Sequence, residues 1–204
     1  GTEEIVKNSL PTEDGIQLTV NGGVTVKIVD NSKDFIDTRE HWSRDQVNFV
    51  AARELFQGVG DNQFGVGRPM TRGMVNTVLA RLAGVDTTSA AGQNWYDKGV
   101  AWARENGVSD GTNPNGNVTR EQLAKFLFSY AVYQGMDAVT LAENLSSFAD
   151  HDSVSGYAVP AMQWAVGQGF INGTDGKLLP TGTATRCQFA AILNRFTAAQ
   201  SEKA

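Results

Sequence analysis

Apolar residues recur along the chain at spacings of three and four, in blocks separated by stretches rich in glycine, asparagine and aspartate. Val47, Val50, Ala51 and Leu55 fall on one helical face, and Val75, Val78, Leu79 and Leu82 fall on another. The two blocks predict a helix, a loop and a second helix. The same pattern returns twice. With Trp42, Trp95 and Tyr157 in register, the segments WSRDQVNFVAARELFQG (42–58), WYDKGVAWARENGVSDG (95–111) and YAVPAMQWAVGQGFING (157–173) align without a gap. Val47, Val100 and Met162 coincide, as do Phe49, Trp102 and Trp164, and Leu55, Val108 and Phe170. After a loop of varying length each copy shows Thr-Arg, in TRGM (71–74), TREQ (119–122) and TRCQ (185–188), followed by an apolar helical pattern.

The threonines are expected N-caps, because a hydroxyl there accepts an amide proton from the first turn. Gln122 and Gln188, three residues on, complete a capping box that Met74 cannot. Gly84 and Gly135 stand where the second helices of the first two copies should end. A single helix pair of this size cannot bury its own apolar face, so the three copies are expected to pack together. Val47, Val100 and Met162 are expected to face their shared core. The fold class is therefore mainly α, three helix–loop–helix repeats packed as a pseudo-threefold unit over about residues 34–200, preceded by a short β segment. The divisions are 1–33, 34–84, 85–136 and 137–204. In the first, Val24, Val26 and Ile28 alternate at period two after a glycine pair, and GIQLTV (15–20) is expected to pair with them around Asn21-Gly22. This stretch reads as a linker that docks on the helical body, with residues 1–14 polar and mobile.

Composition narrows the function. The 204 residues carry a net charge of −5, which argues against general binding of a nucleic-acid backbone. A local cationic pocket on an acidic body is compatible with that balance. No 18-residue apolar run is present, so membrane insertion is not expected. The one cysteine, Cys187, excludes an intramolecular disulfide and any cysteine-based metal site, and reads as a small buried apolar residue. His41 and His151 lack a recurring nucleophile or carboxylate partner, so neither metal ligation nor base catalysis is expected. DGTNPNGN (110–117) lacks the regular spacing of calcium ligands and reads as a turn-rich connection. No cofactor motif is found, and the chain is not expected to be an enzyme.

FIDTREHWS with Phe35, Asp37, His41 and Trp42, FADHDSVSGYA with Phe148, Asp150 and Tyr157, NWYDKGVAWA with Trp95, and the three Thr-Arg steps resemble the S-layer homology family. The resemblance covers all three copies and leaves residues 1–33 outside it. It implies an extracellular, non-catalytic module that anchors proteins to the bacterial cell wall. The implied partner is an anionic, often pyruvylated, secondary cell-wall polysaccharide held in grooves between copies, with other surface proteins as the alternative partner. The implied glycan-binding residues are Arg72, Arg120, Arg186, Asp37, Asp150, Trp42 and Trp95. Copy two lacks the opening aspartate, with only Asp86 as a distant candidate, and the family's glutamate survives only as the shifted Glu121. The grooves are therefore expected to be unequal.

The residues can be weighed without the family. An arginine in a first helical turn opposes the macrodipole by about 0.3–1 kcal/mol. Together with free first-turn amides it makes an anion site, and it pairs bidentately with a carboxylate. The alternative is that each arginine bonds an aspartate or loop carbonyls and fastens the repeat. Asp37 and Asp150 are expected to pair with a nearby arginine, whereas Glu121 is expected to point elsewhere around its helix and leave Arg120 freest. Phe49, Trp102 and Trp164 read as core. Trp42, Trp95 and Tyr157 suit either stacking on a sugar face or closing the contact between copies.

Overall fold

The computed structural model describes residues 3–18, 20, 22–136 and 144–201. Six helices dominate: α1 (Arg44–Ala52), α2 (Arg72–Leu82), α3 (Asp97–Glu105), α4 (Arg120–Tyr133), α5 (Val159–Gly167) and α6 (Arg186–Ser201). The caps are those the threonines announce. The Thr71 side chain accepts from the Met74 amide, and Thr119 with Gln122 forms a full capping box. Thr185 and Gln188 form the same reciprocal pair. Gly84 and Gly135 end their helices at φ of +81° and +73°.

Within a copy the two helices are not each other's main partner. The principal helix contacts are α3 on α2, α5 on α4 and α1 on α6. Each first helix therefore lies on the second helix of the preceding copy, and the last copy closes onto the first. Gly99 makes the α2–α3 seam close, since a Cβ there would come within 2.7 Å of the Thr77 Cα. Three extended residues, one from each copy, close a ring of backbone hydrogen bonds. Met70 N–H donates to the Ala184 carbonyl, Ala184 N–H to Val118, and Val118 N–H to Met70, each at 2.9 Å. All three side chains are fully buried.

The core holds Val47 and Met162 as expected, whereas Val100 is only half-buried. Trp164 and Trp102 are buried, and Trp164 meets the rings of Phe128, Phe170 and Phe196. Phe49 departs from its expected core role: it is half-buried beneath the Arg53 guanidinium, 3.8 Å from the ring centre. Leu55 is buried but lies beyond α1, because the helix stops at Ala52 and the chain turns through Glu54 at φ +56°. Gly107 and Gly169 occupy the same place in the other copies, at +67° and +70°.

The β segment differs from the expectation. β1 (Leu10–Thr12) and β2 (Gly15–Gln17) pair antiparallel, Leu10 opposite Gln17, with Glu13-Asp14 in the turn. Val24, Val26 and Ile28 form no strand and stay exposed, and Asn21 of the expected turn lies outside the described residues. Residues 5–10, expected to be mobile, are half-buried, and β1 rests on α6.

Candidate functional site

Each Thr-Arg step sits where a second helix begins, and its backbone is committed before its side chain is. Arg72 and Gly73 donate their amides to Gly116 and Pro114, Arg120 and Glu121 to Gly182 and Pro180, and Arg186 and Cys187 to Arg68 and Val66. The first-turn amides expected to join the guanidinium in an anion site are thus already taken by the loop of the next copy. The side chains follow the same cyclic order. Arg72 Nε donates to Thr112 O, Arg120 Nε to Leu178 O and Arg186 Nε to Phe64 O, at 2.7–2.8 Å. All three carbonyls lie seven residues before the next threonine.

The remaining guanidinium donors separate the copies. Arg186 Nη2 donates to Gln57 O at 2.6 Å, and its guanidinium lies 4.6 Å and 5.3 Å from the ring centres of Phe64 and Phe56. Only 5% of the residue is exposed, and burial, with Arg68 nearby, brings its pKa down to about 10, partly offset by Asp37. Arg72 Nη2 pairs with the Asp110 carboxylate. Arg120 is half-buried, and among the described residues its Nη groups have no hydrogen-bond partner. Burial lowers its pKa from the ordinary arginine value, with Asp150 acting in the opposite sense.

Gln57, Asp110 and Asn172 occupy one repeat position, immediately before the glycine that ends the aligned segment. Its backbone carbonyl satisfies Arg186 and its side chain satisfies Arg72. In copy three Asn172 lines a groove instead. That groove has a volume of about 120 Å³ and brings together Trp42, Arg120, Asn172, Gln188 and Arg195. Its wall thus draws on all three copies: an aromatic from the first, an arginine from the second, a loop and α6 from the third. Gln188 uses its Oε1 in the capping box, which leaves its amide N–H groups to the groove. Tyr157, at the repeat position of Trp42, reaches the copy before it: its hydroxyl donates to Glu121 Oε1 at 3.3 Å, and burial together with the Glu121 charge raises its pKa.

Trp42, Trp95 and Tyr157 are 61%, 46% and 56% exposed, so most of each ring faces solvent, although the Tyr157 hydroxyl reaches across a seam to Glu121. Asp37 and Asp150 do not make the expected pairs with arginine. Asp37 accepts from the amides of Phe64, Gly65 and Val66, and Asp150 from those of Leu178 and Leu179. Burial alone would raise both carboxyls, but these amides outweigh it and hold both below the ordinary aspartate value. The two aspartates shape the loops whose carbonyls receive Arg186 and Arg120. Copy two does this with Asp110, whose carboxylate accepts from Thr112 N–H within the loop itself, while the distant candidate Asp86 pairs with Lys98. Glu121 is buried and does not point away; it accepts from the Ser155 amide, the Ser155 hydroxyl and the Tyr157 hydroxyl.

Among the described residues there is no cluster of three metal-ligating side chains, and no helix is long and apolar enough to cross a membrane. The chain is 27% identical over 175 residues to the amylopullulanase of Thermoanaerobacterium thermosulfurigenes, covering 79% of this chain and 9% of that protein. It is 27% identical to the exoglucanase XynX of Acetivibrio thermocellus, covering 81% and 16%. It is 25% identical to the surface-layer 125 kDa protein of Lysinibacillus sphaericus, covering 76% and 14%. The chain thus spans less than a fifth of the length of these relatives. An undecaheme cytochrome from the S-layer of Carboxydothermus ferrireducens aligns with a TM-score of 0.41 and 24% identity over 66% of this chain and 18% of that one. The S-layer homology domain profile matches residues 34–73, 88–124 and 147–190, and with three tandem matches across more than half its length the chain belongs to the S-layer homology family.

Proposed function

We propose that this bacterial cell-surface module anchors its protein by holding an acidic group of a secondary cell-wall polysaccharide, pyruvylated or otherwise carboxylated, in the groove lined by Arg120. One observation carries the choice. Of three equivalent arginines, Arg120 is the one whose two Nη groups both lack a hydrogen-bond partner among the described residues, and it lines a groove beside an exposed aromatic. A guanidinium offers a carboxylate two parallel N–H donors, and Trp42 offers a flat apolar face to a sugar ring. Gln188, Asn172 and Arg195 line the same groove and suit the hydroxyl groups of a neighbouring sugar. Arg186 serves the fold in this reading, and Arg72 is held back by Asp110. Ligand contact by Asp37 and Asp150 is indirect, through the loops they shape, and Trp95 is an exposed aromatic that does not line the Arg120 groove. The copy divisions 34–84, 85–136 and 137–204 serve as sequence units, while each working unit crosses them.

The test is sedimentation and calorimetry with bacterial sacculi carrying their wall polysaccharide, and with the same sacculi after removal of its acidic substituents. Binding should be lost with the acidic groups, and Arg120→Ala should weaken it about ten- to a hundredfold, the worth of a charge-assisted pair. Arg120→Ala that binds unchanged refutes the choice of groove. Binding that ignores the polysaccharide but captures a surface protein makes this an assembly module instead.

A further inference from the structure

The three helix seams are not equivalent covalently. The chain itself runs from α2 into α3 and from α4 into α5, but α6 and α1 are joined by no such connection. Their seam unites the last copy with the first. The described residues before position 34, which lie outside the family match, are tied to both sides of it. β1, which carries Leu10, packs on α6. At the C-terminal end of α1, Arg53 Nε donates to Ser9 O at 2.9 Å and Nη1 to Phe49 O at 3.2 Å. Lys7 lies 3.7 Å from Glu54, Asn31 Nδ2 donates to Ala52 O at 2.7 Å, and the Lys33 amide donates to Asn48 Oδ1 at 2.9 Å.

The groove crosses this same seam. Trp42 stands at the α1 side, and Gln188, Ala191, Ile192 and Arg195 stand at the α6 side. Arg53 and Trp42 bracket the nine residues of α1, a rigid rod of about 14 Å at 1.5 Å per residue. We infer that the N-terminal segment is a clamp that replaces the missing covalent link between α6 and α1, and so fixes the distance of Trp42 from the α6 wall of the groove. The effect on binding rests on the groove reading given above; the clamp itself does not.

Two full-chain variants test this, one on each side of the contact: Leu10→Ser within the segment and Arg53→Ala on α1. Ligand-free hydrogen exchange, read by mass spectrometry, should accelerate about tenfold in residues 44–52 and 186–201 and stay unchanged in 97–105 and 120–133. Unchanged exchange in α1 and α6, or equal acceleration in all helices, overturns the clamp. Both variants should also bind polysaccharide-bearing sacculi several-fold more weakly. Faster exchange with full affinity overturns the link between clamp and groove. Should Arg120→Ala bind normally, the groove reading fails by itself, and the exchange pattern still decides the clamp.

Discussion

Arg186→Ala should cost far more stability than Arg120→Ala, although the two arginines occupy one repeat position. Arg186 makes two hydrogen bonds to carbonyls, at 2.8 Å and 2.6 Å, and lies against two phenylalanine rings with 5% of its surface exposed. A hydrogen bond from a charged donor contributes about 1.5–3 kcal/mol, and truncation leaves the partner carbonyls without their donor. Against this stands the desolvation cost that the alanine variant no longer bears. The balance is a loss of about 3–5 kcal/mol, a large fraction of the 5–15 kcal/mol typical of a domain. At roughly 2–4 °C per kcal/mol for a chain of this size, Tm should fall by about 6–20 °C. Arg120→Ala removes one such hydrogen bond from a half-buried side chain and should lower Tm by a few degrees. Arg186→Lys should recover part of the loss, because an ammonium can meet one carbonyl but lacks the planar fork that meets both. Thermal unfolding followed by far-ultraviolet circular dichroism decides the matter. Equal shifts for the two alanine variants would refute the division of the arginines into a fastening one and a binding one.

Three further substitutions test local arguments. Glu54→Gly should leave stability unchanged or raise it by up to about 1 kcal/mol, since glycine holds this left-handed turn in both other copies and the strain relieved exceeds the partly exposed, 3.7 Å Lys7 ion pair given up; a Tm lower by several degrees contradicts this. Asn76→Ala should stabilise by about 1 kcal/mol, because the buried Asn76 amide has no partner for either polar atom, and alanine stands at that position in copies two and three; denaturant unfolding with a decreased midpoint contradicts it. Asp37 and Asp150 have folded pKa values below the unfolded one near about 3.9. Their stabilisation is therefore fully present above that pH and is lost as pH falls through the folded values. Asp37→Asn should flatten the acid limb of stability against pH, and an unchanged limb contradicts that.

The repeat, its caps and its helix ends were legible because each depends on residues close in sequence. Thr119 and Gln122 announce a capping box wherever the helix lies. What periodicity does not report is the partner. Val47 and Met162 mark apolar faces, but nothing in their spacing says that α1 packs on α6 and α5 on α4. The ring through Met70, Ala184 and Val118 is made of backbone hydrogen bonds, which no side-chain pattern encodes. The same holds for the first-turn amides, which the sequence suggested were free. Asp110 is not at the opening of copy two, where the other copies carry their aspartate, but aligns with Gln57 and Asn172, so its role shows only once the loop is folded. Arg81 and Arg195 could have been read from the alignment: both lie ten residues after their threonine, and both donate to the carbonyl at the Leu55 and Phe170 position. The Asn21-Gly22 turn signal competed with the segment's contacts to α6 and α1, and tertiary docking placed the hairpin earlier.

If the residue before the segment-ending glycine sets the availability of each arginine, exchanging that residue should move the binding site. In copy two Asp110 holds Arg72 through an ion pair whose side chains are 62% and 17% exposed. In copy three Asn172 carries no charge to hold Arg120. Asp110→Asn makes copy two resemble copy three at this position, and the asparagine keeps an oxygen able to accept from the Thr112 amide, so the loop should persist. Tyr157, Gln122 and a released Arg72 would then reproduce the Trp42, Gln188 and Arg120 set. Calorimetry with the acidic polysaccharide should show a second site, weaker than the first because the buried Glu121 carboxylate lies near it. Asn172→Asp, the reverse exchange, gives Arg120 an internal carboxylate with which the ligand must compete. A surface ion pair is worth up to about 1 kcal/mol, so affinity should fall about fivefold, and less at high salt. An Asp110→Asn protein with unchanged stoichiometry, together with an Asn172→Asp protein of unchanged affinity, would show that this position does not govern the grooves and that the openness of the Arg120 groove has another cause.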